Sequence, residues 1–240
     1  MSQLQYAERE VASRPISSVP KKNIGYRIFK RCFDFISSLI VSLILILPMI
    51  IISIAIMIKD KGSPFYVQKR VGQNGKQLGI FKFRSMKVGA DNLEKMLTPE
   101  QLEEYKREFK LEDDPRLIGY KKAGDGSKCF GAVLRRTSLD ELPQILFNIC
   151  IKGDMSVVGP RPLLQEEIEK YYSEVEQAMF KSVKPGLTGY WQAYARNDAT
   201  YESGNRQKME LYYVENQSIL LDLKIIFKTI GSVIKKSGAK

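Results

Sequence analysis

The 240-residue chain has no histidine. Imidazole acid–base catalysis, histidine metal ligation and Ser-His-Asp triads are thereby excluded, and proton transfer falls to carboxylates, lysines or tyrosines. Cysteine is scarce too. Cys32, Cys129 and Cys150 are scattered, with no Cys-x-x-Cys or zinc spacing, so neither a disulfide framework nor a zinc site is indicated. Trp191 is the sole tryptophan. The chain has no internal repeat and no linker long enough to divide two soluble domains. Acidic residues are outnumbered, 27 against 38 Lys and Arg, which gives a formal net charge of +11 and a pI near 9.4. Such a surplus suits nucleic acid, an anionic membrane face or phosphorylated substrates. No recognisable nucleic-acid module accompanies it, and a hydrophobic segment does, so nucleic acid ranks below the other two.

That segment is what the chain has most distinctly. Residues 1–23 are polar, carry Pro15 and Pro20, and read as a loose tail. From Leu39 to Ile58 the sequence is almost entirely apolar, broken by Ser42, Pro48, Ser53 and one alanine. Twenty helical residues are enough to cross a hydrocarbon core. Basic residues flank the run on both sides: Arg27, Lys30 and Arg31 before it, Lys59, Lys61, Lys69 and Arg70 after it. The positive-inside rule would hold both flanks in the cytoplasm. Pro48 removes a backbone donor near the middle and can bend the helix. The spacing therefore predicts a re-entrant helix-break-helix over residues 24–61, against the rival of a single straight span. Asp34, at the lip of the segment, is expected to pair with Lys30 at i−4 and Arg31 at i−3. Lys30 and Arg31 could also meet lipid phosphates.

Downstream, residues 62–240 alternate short strand and helix patterns. Phe65 to Gln68 and Gly79 to Phe83 read as strands joined by a hairpin at Gly72 to Lys76. Strand alternation puts Lys82 and Arg84 on one face, opposite Phe81 and Phe83. Ala90 to Leu111 reads as a helix, with Thr98-Pro99-Glu100-Gln101 as a capping box. Gln165 to Met179 reads as one amphipathic helix. Ile219 to Ile234 carries an isoleucine–leucine stripe with Lys224, Lys228 and Lys235 nearby, so it either lies on an anionic membrane or docks on the core. Trp191 has three readings: stacking on a base, sitting at a bilayer interface, or filling the core.

Leu134 to Pro162 reads LRRTSLDELPQILFNICIKGDMSVVGPRP. Adjacent carboxylates, Asp140 and Glu141, lie among Arg135, Arg136, Asp154 and Arg161. Acids with arginines nearby suit an anionic, metal-bound substrate: one carboxylate can attack phosphorus while the other holds Mg²⁺. A structural alternative is a capping box, Ser138-x-x-Glu141. Pro143 sits too deep for that helix and fits better as the first residue of one running to about Cys150. The two acids then lie just before a helix N-terminus, a natural anion site.

SLDELPQ followed by KGDMSVVGPRP closely resembles the monotopic phosphoglycosyl transferases, bacterial sugar transferases that move a phospho-sugar from a nucleotide sugar to a polyprenyl phosphate. KRCFDFISS near Lys30, PFYVQKRVGQNGK from Pro64, FKFRSM from Phe81 and KPGLTGYWQAYARND from Lys184 extend the resemblance from about Tyr26 to Phe227. It implies Asp140 as nucleophile and Glu141 as Mg²⁺ ligand. Arg135 and Arg161 would neutralise phosphoryl charge, and Lys82 and Arg84 would line the site. Arg116 of Asp114-Pro115-Arg116, Arg136 and Arg196 complete the expected substrate-binding set.

The expected fold is an α-rich α/β cytosolic catalytic domain with amphipathic interfacial helices, behind an N-terminal re-entrant membrane hairpin anchored by Lys30, Arg31, Asp34 and Pro48. The expected localisation is the cytoplasmic face of a bacterial inner membrane. The expected partners are a UDP-sugar, undecaprenyl phosphate and the bilayer, with Mg²⁺ as cofactor and no nucleic acid; a homo-oligomer is left open. A membrane-tethered, non-catalytic scaffold of polysaccharide assembly is the rival from another class.

Overall fold

The structure is a computed structural model that describes residues 24–108, 111, 113–121, 128–195 and 204–234. The first element, α1 (Ile24–Asp60), is a 37-residue helix with Pro48 inside it. At 1.5 Å per residue it is roughly 55 Å long. Among the described residues it is the one helix long and apolar enough to cross a membrane. Leu43, Ile44, Leu47, Ile51 and Ile58 are among its many exposed apolar side chains. Its buried positions follow a narrow stripe: Asp34, Ser38 and Ser42, then Met49 and Ile56. The i, i+4 spacing of the three polar residues turns one helix face toward the protein and leaves the apolar remainder uncovered. The anticipated interruption at Pro48 is not seen as a gap in the helix, which continues through the proline. Ser37 and Ser53 donate side-chain hydrogen bonds to the carbonyls four residues earlier, Phe33 and Met49.

The chain then forms two compact units. The smaller comprises residues 44–67 and 81–143, the larger residues 24–43, 68–80 and 144–234 of those described. The strands β1 (Phe65–Val71) and β2 (Gln77–Phe83) pair in a two-stranded sheet. Their connection is a tight turn over Gln73–Gly75, with Asn74 at φ 58° and Gly75 at φ 73°. This hairpin agrees with the sequence expectation, with both strands longer.

In the smaller unit Phe65 stacks on Phe83 at 5.5 Å. The helix expected over Ala90 to Leu111 is instead two, α2 (Leu93–Met96) and α3 (Pro99–Glu108). The break lies at the Thr98–Gln101 box, whose two reciprocal side-chain to backbone hydrogen bonds start α3. Next comes α4 (Phe130–Arg136). Gly131 in its first turn lies so close to the Ser85 carbonyl and the Ile118 backbone that a Cβ would collide with both. Its N–H donates to the Ile118 carbonyl at 2.9 Å.

A helical stretch starts at Pro143–Gln144, where the chain passes into the last segment of the larger unit, and widens to a π-helix over Ile145–Lys152. Pro143 thus begins a helix, as its missing N–H favours. Ser138 lies in the left-handed region, φ 57°, and makes no side-chain cap bond, so the capping-box alternative is not what the structure forms. Two three-residue strands, β3 (Ser156–Val158) and β4 (Gly186–Thr188), pair in parallel, with Ser156 opposite Gly186 and Val158 opposite Thr188. The single helix expected over Gln165 to Met179 is two: α5 (Gln165–Tyr171) and α6 (Glu174–Lys181). Ser173 and Glu176 form a capping box that starts the second. The unit closes with α7 (Tyr190–Tyr194), α8 (Asn205–Asn216) and α9 (Ile219–Ile234). Its core runs from Val158 through Tyr190, Trp191, Met209 and Tyr213 to Ile225, and continues through Leu163, Ile168, Met179, Phe180 and Leu211.

Candidate active site

Asp140 and Glu141 sit on a single tight turn, Leu139–Glu141, between the end of α4 and Pro143. The left-handed Ser138 reverses the chain, and its carbonyl accepts the Glu141 N–H at 3.1 Å. The neighbours meet different surroundings. Asp140 is buried, at 9% exposure. Burial pushes its carboxyl up to about 6, Glu141 adds to the rise, and the positive charges of Lys82 and Arg135 oppose it. Glu141 is more open and accepts a 3.0 Å charged hydrogen bond from Lys82 Nζ. Lys82 lies on β2 beside the buried Phe83, so the strand delivers an ammonium to the acidic turn. Arg135 and Arg136 end α4 and are exposed. The smaller unit thus gathers a buried, basic carboxylate, a salt-bridged one and three cations.

Two expected members of the set hold ion pairs within the smaller unit. Arg116 is buried, and its guanidinium forks onto Asp114 through Nε at 2.8 Å and Nη2 at 2.7 Å. It also lies over the Tyr105 ring at 4.6 Å. Nε and one Nη2 hydrogen are thereby engaged by a buried carboxylate, and the expected substrate contact would fall to the remaining guanidinium donors. Arg84 pairs with Asp60, the last residue of α1, at 3.8 Å. Asp60 also accepts the Val88 N–H at 3.0 Å.

The larger unit holds the rest. Arg161 lies in the Gly159–Pro162 turn after β3, exposed, with its guanidinium 5.8 Å above the Trp191 ring centre. Arg206 lies over the same ring at 4.0 Å. Trp191 is a buried core residue, which favours the core among its three readings. Arg196 lies outside the described residues.

At the start of α1 the expected pairing of Asp34 with Lys30 and Arg31 is corrected. Asp34 accepts from Ser156 Oγ at 2.7 Å and from the Val157 N–H at 3.0 Å. Lys30 donates to Asp222 at 2.7 Å and to the Tyr213 hydroxyl at 3.2 Å. Arg31 donates to the carbonyls of Ile149 at 2.9 Å and Cys150 at 3.5 Å, near the C-terminal end of the π-helix, where a cation complements the dipole. Sequence reasoning missed Asp222 and Glu210. Glu210 lies directly between Met209 and Leu211 and Asp222 between Leu221 and Leu223, and an acid flanked on a helix by apolar residues was the available signal.

A magnesium ion takes oxygen ligands and commonly uses one or two carboxylates together with substrate phosphates. Asp140 and Glu141 fit that pattern as an adjacent oxygen-donor pair. Among the described residues no cluster of three or more acidic or thiol side chains offers a complete protein cage. An ion here would depend on phosphate oxygens for much of its coordination.

A family profile described as bacterial sugar transferase matches residues 25–236. The chain is 41% identical over 216 residues to a UDP-galactose-lipid carrier transferase of Erwinia amylovora, and 38% identical over 216 residues to an undecaprenyl-phosphate galactose phosphotransferase of Salmonella typhimurium. These alignments cover 89% of this chain and 42% of each relative, so the chain spans less than half the length of either. It is 40% identical over 216 residues to the exopolysaccharide production protein ExoY of Sinorhizobium fredii, covering 88% of both chains. The acidic turn with its Lys82 partner, the long apolar helix and a match along nearly the whole sequence agree: the chain belongs to the bacterial sugar transferase family.

Proposed function

We propose that this chain transfers a sugar-1-phosphate from a UDP-sugar to undecaprenyl phosphate and releases UMP, as an early membrane step of exopolysaccharide or capsule assembly. The names of its relatives support the substrate classes and the pathway. The observation that carries the chemistry is the contrast within the acidic turn, a buried Asp140 of raised basicity beside a Glu141 held by Lys82.

The reaction runs in two displacements. An Asp140 carboxylate oxygen attacks the β-phosphorus of the UDP-sugar, the bond to the bridging oxygen breaks, and UMP leaves with that oxygen. The sugar phosphate remains on Asp140 as an acyl phosphate. An oxygen of undecaprenyl phosphate then attacks the same phosphorus, the acyl–phosphate bond breaks, and Asp140 returns as carboxylate. Arg135, Arg136, Arg161 and Lys82 neutralise phosphate charge, and Glu141 offers the ligand oxygen for Mg²⁺. When bound, Mg²⁺ supplies further neutralisation of the diphosphate.

The anchor is a helix that enters one leaflet, bends near Pro48 and returns, with both ends and the catalytic part in the cytoplasm. A proline can bend a helix without ending it, since only the carbonyl four residues back loses its donor. Basic residues on both flanks support the same topology. Helix α9, with exposed Leu220, Phe227 and Ile230 interspersed with Lys224 and Lys228, lies along the interface.

The deciding experiment incubates detergent-solubilised protein with Mg²⁺ and a panel of UDP-sugars beginning with UDP-galactose and UDP-glucose. With undecaprenyl phosphate present, UMP accumulates for the true donor. Without it, a stoichiometric, acid-stable but alkali-labile sugar phosphate stays on the wild type and is absent from Asp140→Asn. UMP formation that requires both substrates at once, with no labelled protein, overturns the covalent route.

A further inference from the structure

Helix α8 places Glu210 and Tyr213 three residues apart, hence on one face. The Tyr213 hydroxyl donates to the Val158 carbonyl at 3.0 Å, and Glu210 Oε2 accepts the Arg161 N–H at 3.1 Å. These two bonds straddle Gly159–Pro160. Glu210 is 1% exposed, and a buried carboxylate is costly unless charges meet it. The charges acting on it are Arg206, from α8 itself, and Arg161, from the turn. Helix α7 carries no charged side chain. Helix α6 meets the Leu211 and Val214 side of α8 through Met179 and Phe180, while its Glu176 bonds Ser173 and its Lys181 bonds Gln177.

We infer that Glu210 is a positioning residue for phosphate binding: its carboxylate fixes the backbone of Arg161 and, with Arg206 and Trp191, sets where the Arg161 guanidinium stands. This deepens the proposed function and rests on its reading of Arg161 as a phosphate-neutralising group. Burial raises the Glu210 carboxyl to about 7, against which the two guanidiniums pull. Its charge therefore changes near neutrality, in a chain without histidine. The sole tryptophan lies under both arginines and reports on that change.

The test uses the full chain in detergent, with UDP as probe, and measures affinity by calorimetry and Trp191 emission against pH. Arg161→Ala and Glu210→Leu should each weaken UDP roughly 10-fold, Glu210→Gln roughly 3-fold, and the Arg161→Ala/Glu210→Leu double variant should bind no more weakly than Arg161→Ala. Should Glu210→Leu not fold, the same cycle is run with Glu210→Gln. Trp191 emission should titrate near pH 7 in the wild type and lose that transition in Glu210→Gln. Additive losses in the double variant, or a transition that survives Glu210→Gln, overturn the positioning role while leaving the proposed function standing. UDP binding that Arg161→Ala does not weaken overturns the reading of Arg161, and the inference with it.

Discussion

Asp140 is held in a state that costs the fold something. An aspartate ordinarily titrates at 3.8, and here burial lifts the value to about 6. The stability linked to its proton is fully present below the ordinary value and is lost as the pH rises through about 6. At pH 8 the buried charge is thus a burden of at most about 3 kcal/mol, and Asp140→Asn should melt at the wild-type temperature or above it. Transfer should vanish in the same variant, and wild-type turnover should fall as the pH drops below 6 and the proposed nucleophile is protonated. Thermal melts and UMP release at matched pH check both. A variant that loses stability and activity together would make Asp140 a structural residue. The pair itself was legible in the sequence, because local spacing set both acids between two arginines and a helix-starting proline. The partners of Lys30 and Asp34 were not. Lys30 finds Asp222 and Tyr213, and Asp34 finds Ser156, all more than 120 residues away, where i, i+4 reasoning has no reach.

At the scale of elements, Asp114 and Arg116 show a buried pair organising a segment. Asp114 accepts the Arg116 backbone N–H at 3.0 Å as well as the guanidinium, and Arg116 covers Tyr105 of α3. The Arg116 carbonyl accepts from the Lys87 N–H at 2.7 Å. Removing one partner leaves the other charged and buried, which costs about 3–5 kcal/mol, whereas replacing both by apolar side chains is often nearly neutral. Arg116→Ala and Asp114→Ala should each lower the denaturation midpoint sharply, and Asp114→Leu with Arg116→Met should recover most of the loss. An Arg116→Ala protein that melts normally but has a raised KM for UDP-sugar would establish the substrate contact in place of this structural role. Elements with local signals were readable: the apolar run of α1, the Thr98–Gln101 box, the Pro143 start. The break between α5 and α6 was also written locally, in Ser173 and Glu176, but a continuous apolar periodicity masked it. The three-residue strands β3 and β4 carry too little pattern to be seen, since their pairing is fixed by backbone contact across some 30 residues of sequence.

For the whole molecule the governing fact is the mismatch between α1 and a bilayer. A straight span needs about 20 residues to cross roughly 30 Å, and α1 has 37, with basic residues toward both ends. Its buried stripe begins with Asp34, Ser38 and Ser42, which are satisfied by or turned toward protein, while its apolar faces lie open. A straight span would carry Lys59 and Lys61 across the membrane and leave the following domain on the opposite side from the N-terminal tail. A bend at Pro48 would keep all the cations on one side. The prediction is made on intact cells, with Cys32, Cys129 and Cys150 replaced by alanine and single cysteines introduced by Ser18→Cys or Ser63→Cys. A membrane-impermeant thiol reagent should label neither variant until the cells are opened, and both afterwards. Adding Pro48→Ala should straighten the helix and expose one of the two positions to the external reagent. External labelling of one position in the presence of Pro48 would establish the straight span. It would also separate the two flanks of α1, and with them the basic residues whose shared side is the reason for inferring a bend.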